Sequence, residues 1–287
     1  MLWINPPGTP TRTTPAAAAL LATLLAASPW AAPALEAAEP KEAEPKETES
    51  RTASEPEPQA APAVWQQWRG PQRTGELAAG QAPWPSSLAG LEKVWSAEKL
   101  GPSYSGPIVG EKRIFTTETR DESREVVTAY DRHTGEKLWQ KQWKGSMKVP
   151  FFADANGSWI RSTPAYDGQT LFVGGIQEVL VALDGATGEE RWRFNFPARL
   201  GTEQPAFGYV CSPLLEDGFL YLEASTSLFK LVAETGEVVW RAEGFSGGDM
   251  AGGSFSSPVF AEIGGQRQLV VQSRQELRGV DPESGAV

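Results

Sequence analysis

The side chains that most often carry out chemistry are scarce in this sequence of 287 residues. Cys211 is the only cysteine and His133 is the only histidine. A single cysteine excludes an intrachain disulfide and any zinc site built from several thiolates. A zinc site or a Ser/His/Asp triad would therefore depend on His133 alone. We expect Cys211 to be a buried packing residue, and His133 to be exposed in a turn.

One acidic stretch has a superficial likeness to a calcium-binding loop. It runs from Asp184 to Gly188 and reads Asp-Gly-Ala-Thr-Gly. An EF-hand loop needs oxygen ligands at alternating positions, and this stretch lacks them. We therefore interpret it as a hairpin turn. No catalytic, metal-binding or cofactor-binding residue is assigned from the sequence.

Internal repetition is the strongest signal in the chain. Three stretches superimpose closely: VVTAYDRHTGEKLW at 126–139, VLVALDGATGEERW at 179–192 and SLFKLVAETGEVVW at 227–240. A fourth, ELRGVDPESGAV, occupies 276–287, and the shared glycines are 53, 48 and 49 residues apart. The residues expected to anchor the repeat are Asp131, Gly135, Trp139, Asp184, Gly188, Trp192, Gly236, Trp240, Asp281 and Gly285.

Each repeat predicts four short strands joined by three turns. In the Asp-x-x-Thr-Gly turn, glycine accepts a positive φ, and the Asp and Thr side chains hydrogen-bond the turn backbone. Upstream, a Ser-x-Pro marker precedes two further strands, as in PAYDGQTLFVGG at 164–175. Each terminal tryptophan can bury about 150–250 Å² between neighbouring units. Units of this kind pack radially, so we predict an all-β fold, a β-propeller of four-stranded antiparallel blades.

Other propeller repeats fit the sequence less well. WD40 blades have about 40–45 residues with Gly-His and Trp-Asp marks, and neither dipeptide occurs here. Kelch blades have a similar length and a double glycine. Gly174-Gly175 occurs once at a comparable place, so kelch is the second interpretation.

Three residues are candidates for a binding site at the mouth of the central channel: Tyr104, Arg161 and Tyr209. They stand at related places, just before the Ser-x-Pro strands. The innermost strands of a propeller approach the channel, where ligands and partner segments dock. The alternative is that the three side chains pack at the surface or between blades.

The whole chain has a formal net charge of −10, and its negative charge is concentrated in one segment. The segment 36–62 holds eight glutamates against three basic residues, and its only apolar residue type is alanine. Such a composition predicts a disordered linker at 39–63. The remainder has no basic cluster, which argues against a nucleic-acid partner.

Residues 1–38 predict a secretory signal. Arg12 precedes a twelve-residue apolar stretch at 16–27, and Ala32-Pro33-Ala34 offers a cleavage site. Twelve residues are too few for a transmembrane helix, which needs about 20. We expect an exported protein, in the periplasm or at the cell surface, with repeats at 64–287 and no transmembrane span. The alternative is an alanine-rich disordered leader.

The A-x-D-x-x-T-G-x-x-x-W pattern resembles the tryptophan-docking motif of the pyrroloquinoline-quinone (PQQ) propeller repeat. The opening stretch WQQWRGPQRTG at 65–75 resembles the start of secreted, BamB-like propellers of planctomycete-type bacteria. This superfamily includes quinoprotein alcohol dehydrogenases and the lipoprotein scaffold of the outer-membrane β-barrel assembly machine. The likeness covers residues 64–287.

The repeats depart from this pattern in several places. Val232 replaces the aspartate of the third unit and Ser284 the threonine of the fourth, while Val94-Trp95 resembles a terminal strand without its own blade. Full rings of the superfamily have seven or eight blades and about four are present. The resemblance therefore implies a truncated chain.

The resemblance leaves the function open between two classes. Quinoprotein dehydrogenases hold PQQ and Ca²⁺ with carboxylate and amide oxygens beside a catalytic aspartate, and none of these residues can be matched here. Many also have a disulfide between adjacent cysteines, which the lone Cys211 excludes. We expect a non-catalytic binding or scaffolding module, without a cofactor, for a protein or glycan partner. The alternatives are a PQQ-dependent alcohol or sugar dehydrogenase with its site in missing blades, and a non-functional fragment.

Overall fold

The computed structural model describes residues 63–77, 80, 85–202, 204–245, 255–273 and 276–287. The chain divides into two units, residues 1–55 and 56–287, and all described residues lie in the second. The predicted signal at 1–38 and nearly all of the predicted linker at 39–63 lie outside the described residues. In the part that is described, no helix has the length and apolar character needed to cross a membrane.

The strands form four antiparallel sheets, each with its strands in chain order. Blade 1 has β1 (Ile108–Val109), β2 (Arg113–Arg120), β3 (Arg124–Asp131) and β4 (Lys137–Lys144). Blade 2 has β5 (Ala165–Tyr166), β6 (Thr170–Gly175), β7 (Val179–Asp184) and β8 (Glu190–Asn195). Blade 3 has β9 (Leu214–Glu216), β10 (Phe219–Ala224), β11 (Ser227–Val232) and β12 (Val238–Ala242). Blade 4 has β13 (Val259–Ile263), β14 (Gln266–Gln272) and β15 (Leu277–Val280) among the described residues.

This architecture confirms the predicted all-β fold with about four propeller blades. Among the described residues, helical structure is limited to two short elements in the connections between blades. A 3₁₀ helix, Phe151–Asn156, follows blade 1, and α1 (Phe196–Leu200) follows blade 2. Because neighbouring strands are antiparallel, the first and third hairpins of a blade lie on one side, called the turn face. The middle hairpins and the blade-to-blade connections lie on the other side, called the connection face.

Burial follows the position of each strand in its blade. The third strand of blade 2, β7, is buried along Val179–Leu183, since neighbouring blades cover both of its sides. The fourth strand of blade 1, β4, has no fully buried residue. Three hydrophobic clusters form the core, and each joins residues of two successive blades. The blades are therefore held together by apolar layers between them, as radial packing requires.

Each terminal tryptophan contacts the Asp-x-x-Thr-Gly turn, or its variant, in the next blade. The indole N–H of Trp139 donates to Gly185 O at 3.1 Å, and that of Trp192 donates to Ala233 O at 2.9 Å. Trp240 makes the equivalent bond to Pro282 O at 3.1 Å. Trp95 donates to Arg132 O at 2.8 Å, although residues 94 and 95 form no strand in the structure. The same contact thus recurs four times and links successive units.

The turns have the geometry that the motif predicts. The Asp131 carboxylate accepts hydrogen bonds from the N–H groups of His133 and Thr134, at 2.9 and 2.8 Å. These two hydrogen bonds lower the pKa of Asp131. In the third unit, Val232 cannot make these bonds. The turn still forms through backbone hydrogen bonds and Gly236 at φ 73°.

Candidate functional site

The Ser-x-Pro markers place a row of hydroxyl groups along the innermost strands. The N–H of Gly106 donates to Thr163 Oγ1 at 3.2 Å, linking blade 1 to blade 2. Thr163 N–H donates to Ser212 Oγ at 3.0 Å, and Ser212 N–H donates to Ser257 Oγ at 2.9 Å. One residue of each marker therefore binds its counterpart in the next blade. This inner set of bonds fixes where the connections leave the channel.

Tyr104 and Arg161, two of the three predicted channel-mouth residues, lie together on the connection face. The Arg161 guanidinium is 5.1 Å from the centre of the Tyr104 ring, which allows a cation–π contact. Tyr104 also packs on Trp159 at 5.3 Å between ring centres, and its hydroxyl donates to Asn156 O at 2.6 Å. The tyrosine remains 48 % exposed. Partial burial lowers the pKa of Arg161, which stays cationic at neutral pH.

Tyr209 is the third residue predicted to lie at the channel mouth. In the structure it is instead a core residue. It is 1 % exposed and stacks on Phe196 at 6.4 Å between ring centres. Its ring lies against Gly174, where an added β-carbon would be 2.1 Å from Tyr209 Cε1. The missing side chain at Gly174 therefore makes the space that buries the tyrosine. Burial raises the pKa of Tyr209 well above its ordinary value.

Four phenylalanines form a row on the connection face, here called the aromatic row. The ring centres of Phe151 and Phe152 are 5.7 Å apart, those of Phe152 and Phe207 6.2 Å, and those of Phe207 and Phe255 5.2 Å. Phe151 is 90 % exposed and Phe255 65 % exposed. The row draws on three successive connections, so it exists only when blades 1 to 4 are assembled.

The 3₁₀ helix joins the aromatic row to Tyr104. It begins after Pro150, carries Phe151 and Phe152 at its start, and ends at Asn156, whose carbonyl binds Tyr104. Gly157 closes it at φ 73°, and an added β-carbon there would be 2.4 Å from the Trp159 indole. The aromatic row was not predicted from the sequence. Two adjacent phenylalanines in the unusually long connection after β4 were the available signal.

The aromatic row and the neighbouring Tyr104–Arg161 pair offer apolar ring faces and a guanidinium cation. Large exposed aromatic side chains typically bury against a partner, and an arginine at the edge can bind a carboxylate or carbonyl. In residues 63–287, excluding the gaps given above, no three His, Cys, Asp or Glu side chains group to hold a metal. The arrangement is suited to binding.

Two buried glutamates bridge successive blades behind this surface. Glu125 accepts the N–H of Ile176 at 2.6 Å and the indole N–H of Trp143 at 2.7 Å. Glu178, at the equivalent place in blade 2, accepts the N–H and the hydroxyl of Ser225 at 2.8 and 2.6 Å. Burial raises the pKa of Glu125 to about 7 and also raises that of Glu178. Their hydrogen bonds show that these carboxylates serve blade packing.

The remaining reactive residues have the environments expected from the sequence. Cys211 is 1 % exposed, and burial raises the pKa of its thiol to about 12. A thiol with so high a pKa is a poor nucleophile at neutral pH. His133 is exposed in the first Asp-x-x-Thr-Gly turn.

Comparison with known sequences identifies a family. The family model described as outer membrane protein assembly factor BamB matches residues 122–287, which is more than half of the chain. The chain is also similar to the serine/threonine-protein kinase AfsK of Streptomyces griseus, with 26 % identity over 178 residues. That match covers 60 % of this chain and 20 % of the kinase, so the chain spans only a fifth of this relative's length.

The solved structures to which the chain is similar include the following two. BamB from Moraxella catarrhalis has 18 % identity and a TM-score of 0.48, over 67 % of this chain and 53 % of that one. The quinohemoprotein alcohol dehydrogenase of Comamonas testosteroni has 19 % identity and a TM-score of 0.46, over 66 % and 34 %. The chain therefore spans about half of the length of this BamB and about a third of the length of this dehydrogenase.

Proposed function

The chain belongs to the family of outer membrane protein assembly factor BamB, and we propose that it is an exported, non-catalytic propeller that binds a protein partner. The observation that carries the proposal is the aromatic row at Phe151, Phe152, Phe207 and Phe255. Phe, Tyr and Trp dominate the energetics of protein interfaces, and a few interface residues commonly supply most of the binding energy.

The position of the row favours an extended or loop segment of the partner. The four rings make consecutive contacts across three connections, which gives a line and not a single pocket. Arg161 and Tyr104 lie beside one end of this line, next to the 3₁₀ helix. An apolar segment with a carboxylate or a free carbonyl at its end would match both parts.

Photo-cross-linking at position 151 tests this proposal. Replacing Phe151 with p-benzoylphenylalanine keeps an aromatic ring at a site that is 90 % exposed. We expect a discrete protein adduct in cells, and we expect Phe207→Ser with Phe255→Ser to abolish it. The control places the same cross-linker at Val238, which is 42 % exposed on the outer strand β12 and should give no adduct. An adduct that persists in the serine variants would contradict the proposal.

A glycan partner is the other form of this binding function. Sugar rings also stack on aromatic side chains, but they would give no protein adduct at position 151. They would instead change the fluorescence of Trp159, which packs beside Tyr104 at 5.3 Å. Titration with cell-envelope oligosaccharides separates the two partner classes.

We propose no PQQ or Ca²⁺ site within the described residues. Cys211 has no adjacent cysteine, and the buried carboxylates of Glu125 and Glu178 accept hydrogen bonds from their neighbouring blades. We derive no dehydrogenase step from these residues. Reduction of a dye by the protein after addition of PQQ, Ca²⁺ and an alcohol or sugar would support that alternative.

Export is a further part of the proposal, and it depends on the predicted signal at 1–38. Fractionation of cells that express the full chain tests it. The expected result is a mature protein in the envelope fraction that begins after the Ala32-Pro33-Ala34 site. An uncleaved chain in the cytosolic fraction would contradict it.

A further inference from the structure

The opening stretch, residues 65–75, runs along the innermost strands of three blades. Trp65 exchanges two backbone hydrogen bonds with Val109 of β1, at 2.7 and 2.9 Å. The carbonyl of Gln66 accepts the N–H of Tyr166 in β5 at 2.8 Å. Two consecutive residues therefore bind two consecutive blades.

Gln67 extends this pattern to blade 3 through its side chain. Leu215 N–H in β9 donates to Gln67 Oε1 at 3.0 Å, and Gln67 Nε2 donates to Leu215 O at 3.4 Å. The amide thus pairs with both backbone groups of one residue, as a neighbouring strand would. Gln67 is 7 % exposed, so water does not compete freely for these bonds.

Arg73 adds a second anchor on the same blade. It is 3 % exposed and donates to Pro213 O at 2.8 Å and to Ser212 O at 3.1 Å. Its guanidinium is 5.1 Å from the Trp68 ring, and burial lowers its pKa to about 10. The charge is therefore retained at neutral pH and strengthens both hydrogen bonds.

The turn between these anchors returns the chain to the blades. Gln67 Nε2 donates to Pro71 O at 2.8 Å, and Gly70 N–H donates to Gln67 O at 3.0 Å. Gly70 has φ 85°, and an added β-carbon would be 3.0 Å from the Trp65 ring. These hydrogen bonds fold the segment back on itself, so the two anchors Gln67 and Arg73 belong to one compact turn.

From these contacts, we propose that residues 65–75 act as one intramolecular clamp that holds the innermost strands of blades 1, 2 and 3 in register. The pairings of the clamp with Val109 and Tyr166 lie at the turn-face ends of β1 and β5, whereas Arg73 binds Ser212 and Pro213 just before β9 begins. The aromatic row lies on the connection face.

Hydrogen exchange in the full chain tests whether the clamp acts as one unit. Arg73→Ala removes an anchor whose hydrogen bonds to the described parts of the blades reach blade 3 alone. We expect the amides of Val109 and Tyr166, in blades 1 and 2, to exchange about tenfold faster or more, because loss of one anchor opens the whole segment. The Gly188 amide, inside a hairpin turn, should be unchanged and reports that the blades stay folded.

Arg69→Ala is the matched control. Arg69 belongs to the same stretch and lies 5.6 Å from the same Trp68 ring, but it donates to Thr74 O within the segment. Its removal should leave Val109 and Tyr166 protected. Unchanged exchange at both amides in Arg73→Ala would overturn the proposal.

Gln67→Ala provides a second variant if Arg73→Ala exposes the Gly188 amide as well. The same two amides decide the outcome by the same criterion. Cross-linking at position 151 distinguishes this inference from the binding function. An adduct that forms normally in a variant with a released clamp would show that partner binding does not depend on the clamp. Failure of one proposal would then leave the other unaffected.

Discussion

Trp139 of blade 1 lies against Gly188 of blade 2, where an added β-carbon would be 2.6 Å from the indole ring. The same relationship recurs for Trp192 with Gly236 and for Trp240 with Gly285, at 2.8 Å each. Glycine is therefore required at this position for two reasons. It permits a positive φ in the turn, and its missing side chain leaves room for the tryptophan of the preceding unit.

Substitution of Gly188 separates these two duties. Gly188→Ala should strain the backbone and also collide with Trp139, whereas Gly218→Ala meets no atom within 4 Å at a similar φ of 80°. We expect Gly218→Ala to cost about 1 kcal/mol and Gly188→Ala about 2–4 kcal/mol in free energy of unfolding. Denaturant unfolding of both variants measures the difference. Equal losses would show that the tryptophan contact contributes nothing.

The indole hydrogen bond can be tested at Trp192. Trp192→Phe keeps an aromatic ring but leaves Ala233 O without its donor, so we expect a loss of about 1 kcal/mol. Trp192→Ala also removes the ring from the layer between blades 2 and 3 and should cost about 3 kcal/mol or more. Leu138→Ala, at a site 43 % exposed, is the control and should change stability by less than about 0.5 kcal/mol.

Glu125 should make stability fall as pH rises. Its pKa is about 7 in the folded protein and 4.5 as an ordinary carboxyl, so the folded state binds the proton more tightly. Stability from this group is fully present below pH 4.5 and is lost as pH rises to 7, by on the order of 3 kcal/mol. The measurement is the difference in unfolding free energy between wild type and Glu125→Gln, from pH 4 to pH 8. A difference that is flat across this range would contradict the raised pKa.

Ser162 and Ser212 should differ in how much their hydroxyl groups contribute to the free energy of unfolding. Ser212→Ala removes the acceptor of the Thr163 N–H and leaves that buried donor unpaired, at a cost of about 1–2 kcal/mol. Ser162→Ala is the control, because the buried Ser162 hydroxyl has no hydrogen-bond partner among the described residues. Its loss should be neutral or slightly stabilising. Thermal unfolding of the two variants under identical conditions provides the comparison.

The fold could be predicted because its signals are local and repeated. Asp184, Gly188 and Trp192 lie within nine residues of one another, so the turn and its strand are visible in a short stretch of sequence. The partner of each tryptophan also follows from the repeat, since it is the next copy of the same turn. Val232 shows that one motif residue can be absent without loss of the turn, because backbone hydrogen bonds form it.

The candidate site could be predicted only in part. Tyr104 and Tyr209 occupy related places in the sequence, yet one is 48 % exposed and the other 1 % exposed. The difference arises at Gly174, a residue in another strand that makes room for the Tyr209 ring. The anchors of the clamp were also missed, because Gln67 and Arg73 bind residues 148 and 140 positions away. Pairings of this range leave no periodic trace.

Blades 1, 2 and 3 each carry both halves of the contact, a tryptophan for the following turn and a turn for the preceding tryptophan. A duplicated or deleted unit would therefore meet a complementary surface on either side without any compensating substitution. Blade number in such a lineage can change by recombination between repeats, while single residues at the contact cannot change freely. The clamp is the exception, because residues 65–75 address particular blades and would have to be rebuilt if their order changed.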